Sequence, residues 1–414
     1  MIEVLRNRRF RRLFTAQVVA LVGTGLLTVA LGLLAYDLAG SNAGAVLGTA
    51  LAIKMVAYVF VAPVISAITD RVPRRVLLVS ADAIRAAIAL TLPFVTHVWQ
   101  IYVLIFVLQA ASATFTPAFQ AVIPSILENE DDYTRGLSLS RLAYDLESLL
   151  SPVLAAALLT VISYNLLFVG TAAGFIASAV AVVTTTLPRP VPTDRSVPLL
   201  ERITRGAQFM TERPVLRGLL AMNLAVGAAT ALVVVNTVVY VRDLLDGSAT
   251  GVALALGCYG SGSMIVALSV PRLLTTITDR TLMLAGAAVL PVGLLAAAAI
   301  ATLSPTPGPG WVMLTVAWVV LGAGTSMINT PAARLLRSQT TPDNRTAVFT
   351  AQFSLSHACF LLTYPIAGWV GAGVGQFAAA ITLAAVATLA ATTAARVWPV
   401  DTSSTVEEVL AGRR

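Results

Sequence analysis

Residues 45–68 read AVLGTALAIKMVAYVFVAPVISAI, an apolar run interrupted by one charge, Lys54. About 20 apolar residues in helical form cross the roughly 30 Å hydrocarbon core of a bilayer. The stretch therefore reads as a transmembrane helix, and Lys54, the only lysine of the chain, falls well inside it. The whole chain follows the same pattern. Hydrophobic residues make up 57% and charged residues 11%, whereas a soluble domain carries roughly a quarter charged residues. The mean hydropathy is +0.85. The fold class expected is an all-α integral membrane protein.

Twelve apolar runs recur, at 13–36, 44–68, 76–95, 99–123, 136–160, 164–186, 215–241, 249–273, 281–303, 311–333, 345–370 and 374–397. The first follows RNRRFRR but is too long for a signal peptide and has no small-residue cleavage site, so it counts as the first transmembrane helix. Basic residues give an independent test, because Lys and Arg collect in cytoplasmic loops. With twelve spans, 23 of the 27 basic residues fall at the termini and in even-to-odd loops, while Arg242 alone falls opposite. Lys54, Arg85 and Arg141 lie within spans. Both termini are thus expected to be cytoplasmic, in the cytoplasmic (inner) membrane of a bacterium. The sequence pI near 9.8 reflects this asymmetry and calls for no nucleic acid. Cys258 and Cys359 fall within spans without metal-ligand or disulfide spacing and read as small apolar residues.

Between spans 6 and 7 the chain becomes LPRPVPTDRSVPLLERITRGAQFMTERPVLR. Its proline-rich start suits an extended linker. Leu199, Leu200, Ile203 and Met210 suit a surface helix with arginines on its other side. The expected organisation is a six-helix half over 1–186, a linker over 187–214, a second six-helix half over 215–400 and a tail over 401–414. The halves echo each other. ITDR at 68–71 returns at 277–280, and VLQAASATFTPA at 107–118 is matched by VLGAGTSMINTPA at 320–332. Duplicated halves place a solute site between them near the bilayer midplane, with rocking of the halves giving alternating access.

The stretch SAITDRVPRR at 66–75 resembles the loop 2–3 signature of the major facilitator superfamily, Gly-x-x-x-Asp-Arg-x-x-Arg-Arg/Lys, with Ser66 in place of the glycine. The resemblance implies a transporter, not an enzyme, with no cofactor, working as a monomer on a small-molecule or metal-ion substrate. It also implies that Asp70, Arg71, Arg74 and Arg75 form a cytoplasmic gate. Exporters of the superfamily often carry Gly-x-x-x-Gly-Pro-x-x-Gly-Gly in span 5. Here the aligned ESLLSPVLAA keeps Pro152 and replaces the glycines with Glu147, Ser151, Ala155 and Ala156. The arginine often found in span 4 of proton antiporters is absent from IYVLIFVLQAASATFTPAF.

Ionisable residues within spans cost about 2.5–3.5 kcal/mol each on insertion scales and mark pathways, relays or partners. Asp82 and Arg85 are three apart, and Arg141 and Asp145 four apart, so each pair shares a helix face and can neutralise itself. The first pair is assigned to the cytoplasmic gate and the second to transport. Glu147 points away from Asp145 and has no local base. At about 1.5 Å per residue, Lys54, Glu147 and His357 reach one layer near midplane. The superfamily's arrangement implies that helices 2 and 11 face each other, setting Lys54 near His357. These three are the expected proton-coupling residues, with Glu147 and His357 as candidate metal ligands. The alternatives are a snorkelling lysine, a glutamate bonded to serines and a histidine bonded to backbone. By resemblance helices 1, 4, 7 and 10 line the cavity, and they carry Gln17, Gln109, Asn223, Asn236 and Asn329. Those amides serve either a polar solute or contacts between helices.

Two further resemblances bear on the solute. VALVGTGLLTVALGLLAYDLAGSNAGAVLGTALAIKM and SLSRLAYDLESLLSPVLAAALL are similar to bacterial nickel-resistance exporters. RNRRFRRLFTAQVVALVGTGL and RGAQFMTERPVLRGLL are similar to the branch of enterobactin and macrolide exporters. The leading expectation is proton-coupled efflux of a toxic divalent metal such as nickel or cobalt, and the alternative is export of a macrolide, another drug or a siderophore. The tail DTSSTVEEVLAGRR lacks the histidines such metal exporters can carry, and aromatics total only 7%, which favours a small polar or ionic cargo.

Overall fold

The computed structural model describes residues 2–61, 72–127, 130–185, 199–303 and 307–399. Among them the chain is helical: α1 Arg8–Ala39, α2 Ala43–Val56, α3 Arg74–Thr91, α4 Val98–Ile126, α5 Glu130–Leu159, α6 Tyr164–Val183, α7 Leu199–Glu212, α8 Pro214–Val239, α9 Ala249–Leu273, α10 Asp279–Leu303, α11 Pro307–Ser338, α12 Pro342–Pro365 and α13 Gln376–Val397. Helices α2, α8 and α12 run on into π turns at Ala57–Val61, Tyr240–Leu244 and Ile366–Val370. Hydrocarbon offers no partner for a peptide N–H or C=O, so a spanning segment must satisfy its backbone internally. Local signals set the ends. The Asn7 side chain accepts hydrogen bonds from the backbone N–H of Arg9 and Phe10, and Pro214 opens α8 where no N–H is needed.

Nine helical segments among the described residues are long and apolar enough to cross a bilayer, the first of which, Arg8–Phe60, takes in both α1 and α2. Shorter apolar stretches, Val98–Ala113 and Leu150–Leu159, lie in α4 and α5. Helices α5 and α11 outrun the apolar runs at 136–160 and 311–333, because their polar ends continue the helix. Ile265, Leu268, Val292, Val312 and Leu389 project outward with more than half of their surface exposed. Such a surface would be an aggregation hazard in water and is what lipid contact requires.

Helices α1, α3, α4 and α6 pack mainly within the first six, α8 to α13 mainly on one another, and α2 and α5 bridge the two groups. In the second group the Trp318 indole N–H donates to Thr237 Oγ1 at 2.8 Å and the Tyr240 hydroxyl to the Ala297 carbonyl at 3.1 Å, so its large buried aromatics leave no donor stranded. Helix α7 lies against α12 and α8 with Met210 fully buried. Of the other apolar residues expected there, the side chains of Leu199, Leu200 and Ile203 lie outside the described ones. The second ITDR stretch ties α10 to its neighbours: Asp279 pairs with Arg334 at 3.5 Å, and Arg280 donates to the Trp398 carbonyl.

The two groups meet chiefly where α2 lies on α12 and α8, and where α5 lies on α9. These contacts concentrate at the end of the bundle remote from the start of α1 and the end of α13, here called the far end. A Cβ added at Gly48 would lie 2.6 Å from the Tyr364 carbonyl oxygen, and one added at Gly44 would lie 2.8 Å from Asn236 Oδ1. Only glycine permits this approach. Around it, the Trp369 indole donates to Thr49 at 2.9 Å, and the Asn236 amide donates to the Ala367 carbonyl at 3.0 Å. The Tyr36 hydroxyl donates to Asp243, and the Arg242 guanidinium lies 5.1 Å from the Tyr36 ring centroid.

Gly48→Val should wedge this joint apart. Overpacking costs about 1–3 kcal/mol, so the open far end should gain about tenfold or more in population. In a chain with Cys258 and Cys359 replaced by alanine, Ala367→Cys, fully buried at the joint, should react with a maleimide correspondingly faster when Gly48→Val is present. An unchanged rate would show that the joint does not hold the far end shut.

Candidate functional site

Where α2 meets α12, five rings and two charges come together. Lys54 sits on the last turn of α2, half-buried, with its ammonium 5.9 Å from the Tyr58 ring centroid. Tyr58 belongs to the π turn that follows, and a π turn is wider than an α turn and frequent at functional sites. From α12, His357 stacks on Tyr58 with centroids 5.6 Å apart and ring planes 22° apart. Phe353 packs 4.1 Å from His357 and 6.4 Å from Tyr58. Phe360 continues the run 6.3 Å from His357 and 5.4 Å from Tyr364. Phe353, His357, Phe360 and Tyr364 recur at steps of four, three and four, which is one stripe of an α-helix.

His357 Nδ1 lies 2.7 Å from the Phe353 carbonyl oxygen. A carbonyl can only accept, so Nδ1 carries the proton and Nε2 is the acceptor nitrogen of the neutral ring. The expected alternative of a backbone-bonded histidine thus holds for one nitrogen and leaves the other for exchange.

Glu147 approaches from α5 and is half-buried. Its Oε1 would lie 2.8 Å from a Cβ at Gly25, so the carboxylate rests against α1 at a position without a side chain. Ser151, one turn on, packs at the same glycine, and its hydroxyl has no hydrogen-bond partner among the described residues. Lys54 is the charge that acts on Glu147, and it also acts on His357. Among the described residues no salt bridge joins Lys54 to Glu147. Lys54 and His357 thus meet through the Tyr58 ring, and Glu147 on α5 is within electrostatic reach of Lys54.

Other expected residues separate from this group. Asp82 and Arg85 pair with each other, fully buried, and the guanidinium lies 4.3 Å from the Phe115 ring centroid and 4.5 Å from that of Phe175. Arg75 donates to the Val183 carbonyl at the end of α6, and Arg74 is half-buried. Asp70 and Arg71 lie outside the described residues, as do the side chains of Arg141 and Asp145. Gln17, Gln109, Asn223 and Asn236 are buried, while Asn329 is exposed. Gln17 Oε1, Asn223 Nδ2 and Asn236 Oδ1 have no partner among the described residues. Asn236 spends its donor on the joint with α12.

Sequence reasoning missed Tyr58 and the aromatic stripe. The signal was present in FSLSHACFLLTY at 353–364, whose aromatic spacing is helical. As for metal, no group of three or more His, Cys, Asp or Glu side chains that could hold an ion occurs among the described residues.

Among proteins of known name, the chain is 26% identical over 186 residues to Macrolide efflux protein A of Streptococcus pyogenes, covering 44% of this chain and 45% of that protein. It is 27% identical over 137 residues to Macrolide efflux protein A of Enterococcus faecalis, covering 32% of this chain and 42% of that one. The chain thus spans less than half the length of the curated relatives it matches. Among solved structures, a mutant of the nucleoside transporter NupG superposes with a TM-score of 0.74 at 15% identity, over 94% of this chain and 100% of that one. A bacterial homologue of the human lysosomal transporter Spinster, inward-facing and unoccupied, gives 0.71 at 12% identity, over 95% and 97%. At such identities the likeness is one of fold. The family model of the Major Facilitator Superfamily matches residues 13–303, and the chain, a membrane transporter and not an enzyme, belongs to that superfamily.

Proposed function

We propose that this transporter exports an amphipathic organic solute, of the macrolide or multidrug kind, by proton-coupled alternating access. The observation that carries the reading is the aromatic stripe of α12, joined by Tyr58, beside the open pair of Lys54 and Glu147. Ring faces backed by a few polar groups are the chemistry of a pocket for a drug-sized molecule. The low overall aromatic content pointed toward a small ionic cargo, but at the junction the rings are concentrated. Nickel or cobalt, the first expectation from the sequence, is less well served. Glu147 and His357 would have to bind the cation with the Lys54 ammonium acting on both. The efflux activity named for the relatives supports the outward direction.

In this reading twelve helices span a bacterial cytoplasmic membrane as a monomer, with both termini cytoplasmic, and the six-helix halves rock about the site. The far end faces outward and is shut by the glycine joint, so cargo loads from the cytoplasmic end. Glu147 and His357 carry the coupling proton. Asp145 and Arg141 support them from the same helix as Glu147. Asp70, Arg71, Arg74 and Arg75, with Asp82 and Arg85, hold the cytoplasmic gate. Gln17, Gln109, Asn223 and Asn329 offer the cargo hydrogen bonds.

Everted vesicles supply the test. With a proton gradient they should accumulate a fluorescent drug or labelled macrolide, lose it when an ionophore collapses the gradient, and leave nickel and cobalt outside. Accumulation of metal with exclusion of the drug would sink the reading.

Glu147→Gln and His357→Ala should each lower gradient-driven accumulation by about tenfold or more, the factor that 1.4 kcal/mol represents, at unchanged expression. Wild-type rates in both variants would remove the two residues from the coupling step.

A further inference from the structure

Lys54 contributes its ammonium to a place that suits an ammonium supplied from outside. Its partners are the face of Tyr58, at 5.9 Å, and the carboxylate of Glu147 on a different helix. An aromatic face and a carboxylate are the two groups that recognise organic cations in proteins. The remaining rings, His357, Phe353 and Phe360, extend from Tyr58 as a surface for the apolar body of such a molecule.

Two further observations fit a lysine that is meant to move. The first is that it does not close on Glu147, so a gap separates the charges within one layer. The second is its identity. Every other basic residue of the chain is arginine, and this one is lysine. A guanidinium makes flat, two-pronged bonds with a carboxylate that are hard to displace, whereas an ammonium is a compact charge on a flexible four-carbon stem. The buried pair on α3 shows the contrast, since Arg85 is bonded to Asp82 and held between two phenylalanines.

Building on the organic-solute reading above, we infer that the cargo is an organic cation, and that Lys54 is a tethered stand-in for it. In the empty transporter Lys54 holds the place beside Tyr58 within electrostatic reach of Glu147, and the cargo's amine displaces it on loading. An anionic cargo at Lys54 would face the Glu147 carboxylate, and a cationic cargo arriving beside a fixed Lys54 would be repelled. Displacement avoids both conflicts and keeps one positive charge in the site at all stages. It also discriminates: a neutral solute cannot replace the ammonium on Glu147.

The test uses two ions of the same shape and opposite charge, tetraphenylphosphonium and tetraphenylborate, with the purified full chain in lipid nanodiscs and equilibrium binding as the readout. Wild type should bind the phosphonium in preference to the borate. Lys54→Met, and independently Lys54→Gln, should tighten phosphonium binding by about tenfold, because the internal competitor is gone, and Glu147→Gln should weaken it by about tenfold or more. Lys54→Arg should weaken it as well. Weaker phosphonium binding in both Lys54→Met and Lys54→Gln would overturn the proposal, as would borate binding that is lost in both. Equal binding of the two ions, unmoved by Lys54→Met, would remove the stand-in role and leave organic export intact. Binding of neither ion, together with metal accumulation in vesicles, would instead remove the organic-solute reading.

Discussion

Lipid removes the force that folds soluble proteins. Between two helices already in hydrocarbon, burying one leucine against another gains little, because lipid tails are as apolar as the side chain. What remains is contact, and contact improves as backbones approach. The far-end joint is the clearest case here, with Gly44 and Gly48 of α2 admitting the backbone of α12 around Tyr364 and Gly368. That approach brings α2 onto α12 and so sets Tyr58 against His357. The same economy appears at Gly25, where the missing side chain makes room for Ser151 and the Glu147 carboxylate together. Glycines thus set the positions of both the α2–α12 joint and the Glu147 carboxylate.

Polar groups follow a second economy. Some are consumed locally: Trp318 by Thr237, Tyr240 by Ala297, and one oxygen of Asp82 by Arg85. At the junction they are left incomplete. Lys54 and Glu147 form no salt bridge with each other, and Asn236 holds an oxygen with no partner among the described residues, as do Gln17 on α1 and, through its amide nitrogen, Asn223 on α8. An unsatisfied polar group in a dry interior is costly, and buried atoms of this kind also occur away from the junction, at Asp82, Ser178 and Asp279.

The one-dimensional part of this arrangement was legible in the sequence. Helix positions follow from apolar runs, and counting residues along them brings Lys54, Glu147 and His357 to one depth. The rotation of each helix was not legible, because the apolar runs are apolar nearly all round and no amphipathic face marks the interior. That is why the sequence placed Lys54 and Glu147 in one layer without showing that they interact across α2 and α5. Tyr58 was hidden for a related reason: the α-helical count changes at the π turn that follows Lys54, and nothing in AYVFV announces it. Averaging over the chain also misled, since 7% aromatic content says nothing about where the rings gather. Asp70, Arg71 and the side chains of Arg141 and Asp145 lie outside the described residues, so of the residues expected at the gate the structure describes only Arg74, Arg75, Asp82 and Arg85.

The choice of arginine at every basic position but one has a practical side. Lys54 is the only side-chain primary amine in the molecule, and it lies at the junction of the two helix groups. Reagents that acylate amines and ignore guanidinium groups therefore have a single internal target, at the α2–α12 contact. The extent of its modification becomes a chemical gauge of how open that contact is, readable by mass spectrometry without introducing any label or substitution.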